Sequence, residues 1–358
     1  MGYQNVKTPR FYIDYLSYNK AIGNIDISNS SAAISLHTGF NPSGNTYTTT
    51  TANGKVWLNL KFTNPMPAPR TDTLNGTSTS SGLFMGCLGH NAASAFETGM
   101  AIDATIAYSD GDSSYGSDSQ IANWEGHATP VPLNGFTLNK KINPSGLIDI
   151  QGIYFRFYIG SESQQTINLF VKSLVFGQYY DMPVSPDLSL SMSHEYGGIK
   201  TITTKGGSTL SNANYHKPAM WGDREAWELQ MANDSFSTKH RYSGRRSWDL
   251  SFSYIADSDI EPYNYSGIKW SSDTAPSPTP SEDSDNWFTN VLYYTMGGHL
   301  PFIFCPDPSI EYFYDTDHLW TAPRTPEFAI CRFDMNSFKR EQVANSVYNI
   351  KVKIVESW

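Results

Sequence analysis

Two blocks of the 358-residue chain hold residue types that carry out acyl transfer: Gly111, Asp112, Ser113 and Ser114 form one, and Asp315, Thr316, Asp317 and His318 form the other. A serine hydroxyl attacks an ester carbonyl when a histidine takes its proton and an aspartate orients that histidine. Two acidic runs offer oxygen ligands to Ca²⁺, with Asp110, Asp112 and Asp118 in one loop and Asp257, Asp259 and Glu261 in another. Neither has the spacing of an EF-hand loop, with its fixed Gly and bidentate Glu, so both read as solvated acidic turns. The eight histidines are scattered, without an HExxH motif or a close pair, and offer zinc no ligand set. Cys87, Cys305 and Cys331 lie far apart with no CxxC pair, so they read as small buried hydrophobes or free thiols. No cofactor is implied.

The serine and histidine blocks are similar to those of SGNH-type esterases. That resemblance implies a parallel sheet wrapped by helices, with the serine just after the first strand, and the chain lacks the βαβ alternation such a scaffold needs. Binding chemistry has more candidates. Tyr108, Tyr115, Trp124 and Trp270 lie near polar loops, where aromatic faces stack on sugar rings or pack against a neighbouring subunit. Arg245 and Arg246, with Arg241 nearby, make the densest basic spot. It is too small to follow a nucleic-acid duplex, and suits a salt-bridged strand edge or a contact to an acidic patch on another copy.

The elements that must position these residues are strands. Charged residues are only 16% of the chain, against a typical ~25%, and Ser, Thr, Asn, Gly and Tyr take their place. Long amphipathic helices need Lys and Glu on their wet face, so an all-β protein with many turns is expected. The net charge of −9 and the lack of basic clusters exclude nucleic acid as a partner. No stretch approaches the ~20 apolar residues that span a bilayer, and the first twenty residues lack the apolar core of a Sec-type leader. The chain therefore reads as soluble, without membrane insertion.

Alternation locates the strands. Val56, Leu58, Leu60 and Phe62 share one face; so do Ile153, Phe155, Phe157 and Ile159, and Ile167, Leu169 and Val171. Pro183 and Pro186 interrupt pairing, which sets a domain boundary near residue 184 and two β domains, 1–184 and 185–358. In the second half, Leu188, Leu190 and Met192 alternate with serines, and Trp248, Leu250, Phe252 and Tyr254 alternate with Asp249, Ser251 and Ser253. Tyr348, Ile350, Val352 and Ile354 oppose Asn349, Lys351 and Lys353 in a closing strand. One short helix is expected, capped by Asp285, with Trp287, Phe288, Val291, Leu292 and Thr295 on its buried face and Gly297 and Gly298 at its end. Residues 300–304, LPFIF, read as a buried strand. The Pro/Ser-rich stretch 271–285 and the polar stretches 38–55 and 108–120 read as loops.

The stretches GRRSWDLSFSYIADSD, GGHLPFIFCPD and FAICRFDMNSFKREQVANSVYNIKVKIVESW follow one another with a helix after the first. Their layout resembles that of distal-tail and minor-tail proteins of tailed bacteriophages, over about residues 185–358. LSLSMSHEYGGIKTITTKGGSTLSNANYHKP is likewise similar to structural proteins of marine phages. The resemblance implies a β-sandwich or barrel module that joins a homo-oligomeric ring in the tail or baseplate, with other tail proteins as partners. It implies a structural virion protein, not an enzyme, made in the cytoplasm of a bacterial host. The first half looks like a jelly-roll, an architecture shared by capsid decorations, carbohydrate-binding modules and receptor-binding tips. A carbohydrate-binding protein that recognises a host surface glycan is the alternative, and a tail-associated esterase using Ser113 the third.

Overall fold

A computed structural model describes residues 7–26, 45–51, 55–67, 81–88, 100–109, 117–122, 136–141, 149–159, 165–171, 173–188, 190–195, 199–213, 245–261, 286–308 and 329–357. In chain order these form β1 (Arg10–Asp14), α1 (Tyr15–Ala21), β2 (Ile25–Asp26), β3 (Asn45–Thr51), β4 (Lys55–Pro67), β5 (Ser81–Leu88), β6 (Met100–Ser109) and β7 (Ser117–Ala122). Next come β8 (Phe136–Lys141), β9 (Asp149–Ile159), β10 (Gln165–Val171), β11 (Ser173–Asp181), β12 (Ser191–Glu195), β13 (Ile199–Thr203) and β14 (Thr209–Ala213). The last are β15 (Arg245–Ala256), α2 (Asp257–Ile260), α3 (Phe288–Tyr293), β16 (Phe302–Cys305), β17 (Ala329–Phe333), β18 (Arg340–Ala344) and β19 (Val347–Glu356). The protein is mostly strand with few helices, and the pairings described are antiparallel.

One ten-stranded sheet runs β12-β15-β19-β17-β16-β1-β11-β5-β8, with β18 on β19. It takes strands from both sides of residue 184: β1 lies between β16 and β11, with Phe11 opposite Phe304 on one side and Tyr180 on the other. A five-stranded sheet runs β2-β4-β9-β6-β7, and β3–β10 and β13–β14 make two-stranded sheets.

Burial follows position in the large sheet. β1 and β16 are buried at every residue: β16 is a continuous apolar run, and in β1 the apolar Phe11, Tyr12 and Ile13 lie between the buried charges of Arg10 and Asp14. β19 has Ile350, Val352 and Ile354 buried and Lys351 and Lys353 exposed, the register its alternation predicts. One face carries a single cluster of Phe11, Ile13, Phe176, Tyr180, Trp248, Leu250, Phe252, Phe302, Phe304, Phe333 and Ile354, joined by Leu60, Phe62, Met66 and Ile150 of the second sheet. Aromatic edges lock it: Phe11 meets Trp287 at 4.8 Å between ring centres and Trp248 meets Phe304 at 5.2 Å. On the opposite face, Tyr12, Val175, Ile303 and Ile330 are also buried.

Several sequence expectations are corrected. The single helix in the second half is joined by α1, which no periodicity announces: Asp14 ends β1 and caps α1, accepting the N–H groups of Leu16 and Ser17, both at 3.1 Å. The expected helix exists as α3 but is wound as a π-helix, and Asn286 caps it by accepting the Thr289 N–H at 2.9 Å. Asp285 lies outside the described residues. α3 ends at Tyr293 with Tyr294 as its C-cap, earlier than the glycines expected to stop it; Gly297 and Gly298 follow in the left-handed region at φ 69° and 93°, after Met296 at 52°. The alternation over 188–192 starts too early, because Leu188 is fully exposed in a turn and β12 begins at Ser191. The polar stretch 38–55 contains a strand, since β3 pairs with β10 along its whole length. The stretch 271–285 lies outside the described residues.

Candidate functional site

β15 carries the residues that could act at the surface, at its two ends. At the start, Arg245 is half-buried and Arg246 is buried. The Arg246 backbone N–H and Nε donate to Glu356 at 2.7 and 2.5 Å, and its guanidinium lies over Trp248 at 5.2 Å. The closing strand supplies the carboxylate, and β15 is paired on both sides, with β12 and β19, so the pair sits inside the sheet and not at its edge. Its guanidinium and carboxylate are held by each other, which leaves Arg246 serving the fold.

At the other end the strand carries a bulge. Phe252 pairs with Ile350 and Ile255 with Tyr348, so two β15 residues face one on β19. The bulge flips the alternation: Ile255 goes into the core and Tyr254, expected on the buried face, is 78% exposed. Tyr254 holds φ at 61°, and Asn349 Oδ1 accepts its N–H at 3.1 Å. A left-handed backbone is costly for a bulky residue, and such strain gathers at functional surfaces. The fully exposed Leu188 belongs to the same corner. Its neighbour Asp187 donates its N–H to the Ser251 carbonyl at 2.7 Å and accepts the Ser253 hydroxyl at 2.7 Å. α2 follows at once, with Asp257 exposed. Burial raises the Asp259 carboxyl above its ordinary range, and Glu261 pairs with Arg340.

The remaining polar groups hold strands together. Arg10 forms a fork with Asp181, Nε donating at 2.5 Å and a terminal nitrogen at 2.7 Å, while its guanidinium lies 4.4 Å from the Tyr179 ring centre. Lys7 meets Asp307 at 3.1 Å beside it. The Tyr15 hydroxyl donates to Gln178, and Gln178 donates to the Asn290 carbonyl and side chain, tying α1, β11 and α3. Cys305 and Cys331 are buried and free. Burial pushes the Cys305 thiol up to about 12 and the Cys331 thiol well above its ordinary value, which keeps both protonated and poor nucleophiles. No group of His, Cys, Asp or Glu that could hold a metal ion occurs among the described residues.

Of the other sequence candidates, Asp110, Asp112, Tyr115, Trp124 and Trp270 lie outside the described residues, as do Ser113, Asp315, Asp317 and His318. Tyr108 falls at the end of β6, opposite Ser117. Asp118 falls in β7, opposite Ala107, where the sequence reading placed it in the loop with Asp110. Sequence reasoning missed the corner at Tyr254, since the bulge leaves no mark in the alternation. It also missed the β13–β14 hairpin, although Gly206 and Gly207 between two alternating runs are a hairpin signal. No helix among the described residues is long and apolar enough to cross a membrane. No protein-family model matches the chain, and no curated protein sequence matches it.

Proposed function

We propose that the chain is a structural virion protein of a tailed bacteriophage, a distal-tail or baseplate component that forms a ring by contacts between copies and with neighbouring tail proteins. On this reading it is made in the bacterial cytoplasm, ends in the tail and catalyses no reaction. On this reading the stretch 185–358 carries the tail-protein layout, and the β-sandwich or jelly-roll-like packing is built around the ten-stranded sheet that takes strands from both sides of residue 184. The observation that supports the reading is the order of the C-terminal elements. The arginine-led β15, then α3, the buried β16, β17 with Arg332 and the closing β19 come in the order on which the resemblance to tail proteins rests, and β15, β19, β17 and β16 lie side by side. A hydroxyl-rich chain with only 16% charged residues and exposed aromatics such as Tyr254 suits assembly through subunit contacts.

Locating the chain in intact virions by cryo-electron microscopy tests this. The expected result is a six-fold ring at the tail end, or a three-fold one for a tip adaptor. Absence from particles overturns the reading, and a chain absent from the tail ring that binds a host glycan replaces it with the receptor-recognition alternative.

A further inference from the structure

The β13–β14 hairpin stands apart from both large sheets, pairing only with itself among the described strands. An isolated two-stranded hairpin is marginal in water and gains stability by laying an apolar face on another surface. Register gives this hairpin one apolar pair on such a face. Ile202 lies directly opposite Leu210, with the Lys200–Asn212 pair next along the same face, while Ile199, Thr201, Thr203, Thr209, Ser211 and Ala213 fall on the other side. Both apolar side chains are open to solvent in the single chain, Ile202 at 66% and Leu210 at 61%. The turn beyond them holds the exposed Lys205, fixed by Thr204, whose hydroxyl accepts the Ser208 N–H at 3.1 Å.

The charge around the hairpin is as one-sided as its face. From Ile199 to Ala213 the hairpin has no carboxylate and carries Lys200 and Lys205, in a chain whose net charge is −9. A complementary surface lies elsewhere on the same molecule, at the corner where β15 ends. There Tyr254 and Leu188 offer exposed apolar area and Asp257 an exposed carboxylate at the start of α2.

We propose that the β13–β14 hairpin is an arm that docks on the Tyr254 corner of a second copy, with Ile202 and Leu210 against Tyr254 and Leu188 and Lys205 facing Asp257. Arm and corner are different surfaces of one chain, so the contact is head-to-tail. Such a contact repeats until it closes into a ring or runs on as a filament, whereas a self-complementary patch stops at a dimer. The inference rests on the ring reading and names the surfaces that build the ring.

The test uses full-length protein in three forms: wild type, an arm variant (Ile202→Ser with Leu210→Ser) and a corner variant (Tyr254→Asn with Asp257→Lys). These residues lie at the surface, so both variants should keep the wild-type melting temperature. Sedimentation and native mass measurement should show a closed ring for wild type, monomers for each variant alone, and only dimers when the two variants are mixed. The mixture holds one intact arm and one intact corner, so a single contact forms and cannot propagate. Variants that still form the wild-type ring overturn the arm and leave the ring reading standing. A mixture that stays monomeric overturns the pairing of arm with corner. Wild type that stays monomeric in solution and in virions overturns both. If a variant melts early, Lys205→Glu and Asp257→Lys replace it: each alone should weaken the ring, the double variant should restore it, and absence of that rescue overturns the contact.

Discussion

Asp14 serves two elements with one carboxylate. It caps α1 and also accepts the Phe176 N–H at 3.2 Å, while burial pushes its carboxyl from 3.8 up to about 6 against the pull of those hydrogen bonds. The folded state therefore holds this proton more tightly than the unfolded chain does, and the stability so gained is complete below about pH 4 and lost as pH rises through about 6. Two pH units correspond to about 3 kcal/mol as an upper figure. The unfolding free energy of wild type relative to Asp14→Asn should fall over that window, and a flat difference in urea titrations would contradict the burial of this carboxylate. Gly177 makes a second demand at the same place. A Cβ there would sit 1.9 Å from the Ile13 carbonyl oxygen, where β1 bends into α1 over β11. Gly177→Ala should lower the melting temperature by an amount equivalent to about 1–3 kcal/mol, since backbone atoms must give way. Glu356→Ala should cost about 3–5 kcal/mol, because Arg246 then loses its buried carboxylate.

Among the elements, β19 gives the sharpest contrast between its faces. Val352 is 2% exposed, so Val352→Asp places a charge in the core and should unfold the sheet or cost several kcal/mol. Lys351→Ser with Lys353→Ser removes only solvent-facing groups, including the Lys353–Asp334 pair at 2.5 Å, and exposed pairs are worth about 0–1 kcal/mol. Melting curves of the two variants should differ widely; equal curves would mean the register is wrong. This strand was legible in the sequence because one of its faces is wet, so polarity alternates with a period of two. β16 was legible for the opposite reason, as an unbroken apolar run buried on both faces. β3, whose residues are threonines and asparagine with one tyrosine, hides among loops because its composition signals nothing but its β propensity. α1 was invisible because strand and cap share Asp14, leaving no turn residues between them. Tyr254 was misplaced because a bulge is a matter of backbone geometry that alternation cannot register.

At the scale of the molecule, the core joins distant parts of the chain. Phe11 of β1 packs against Phe302 and Phe304 at 5.5 and 5.3 Å between ring centres. A fragment of residues 185–358 made alone lacks that strand, and should show poorly dispersed NMR signals and bind a hydrophobic dye. Adding the 1–184 fragment should restore dispersion, and a well-ordered lone fragment would contradict the shared sheet. The position of β1 also sets a timetable for synthesis. As the ribosome advances, β1 can pair with β11 as soon as Asp181 emerges, but its other edge waits for Phe302–Cys305. That is roughly 120 residues later, or about 6–25 s at elongation rates of ~5–20 residues per second. For that interval the nascent chain displays an open, aromatic strand edge, the kind of template that recruits stray strands. Translation speed through the 182–305 interval, and chaperone cover during it, should therefore govern how much soluble protein a cell yields.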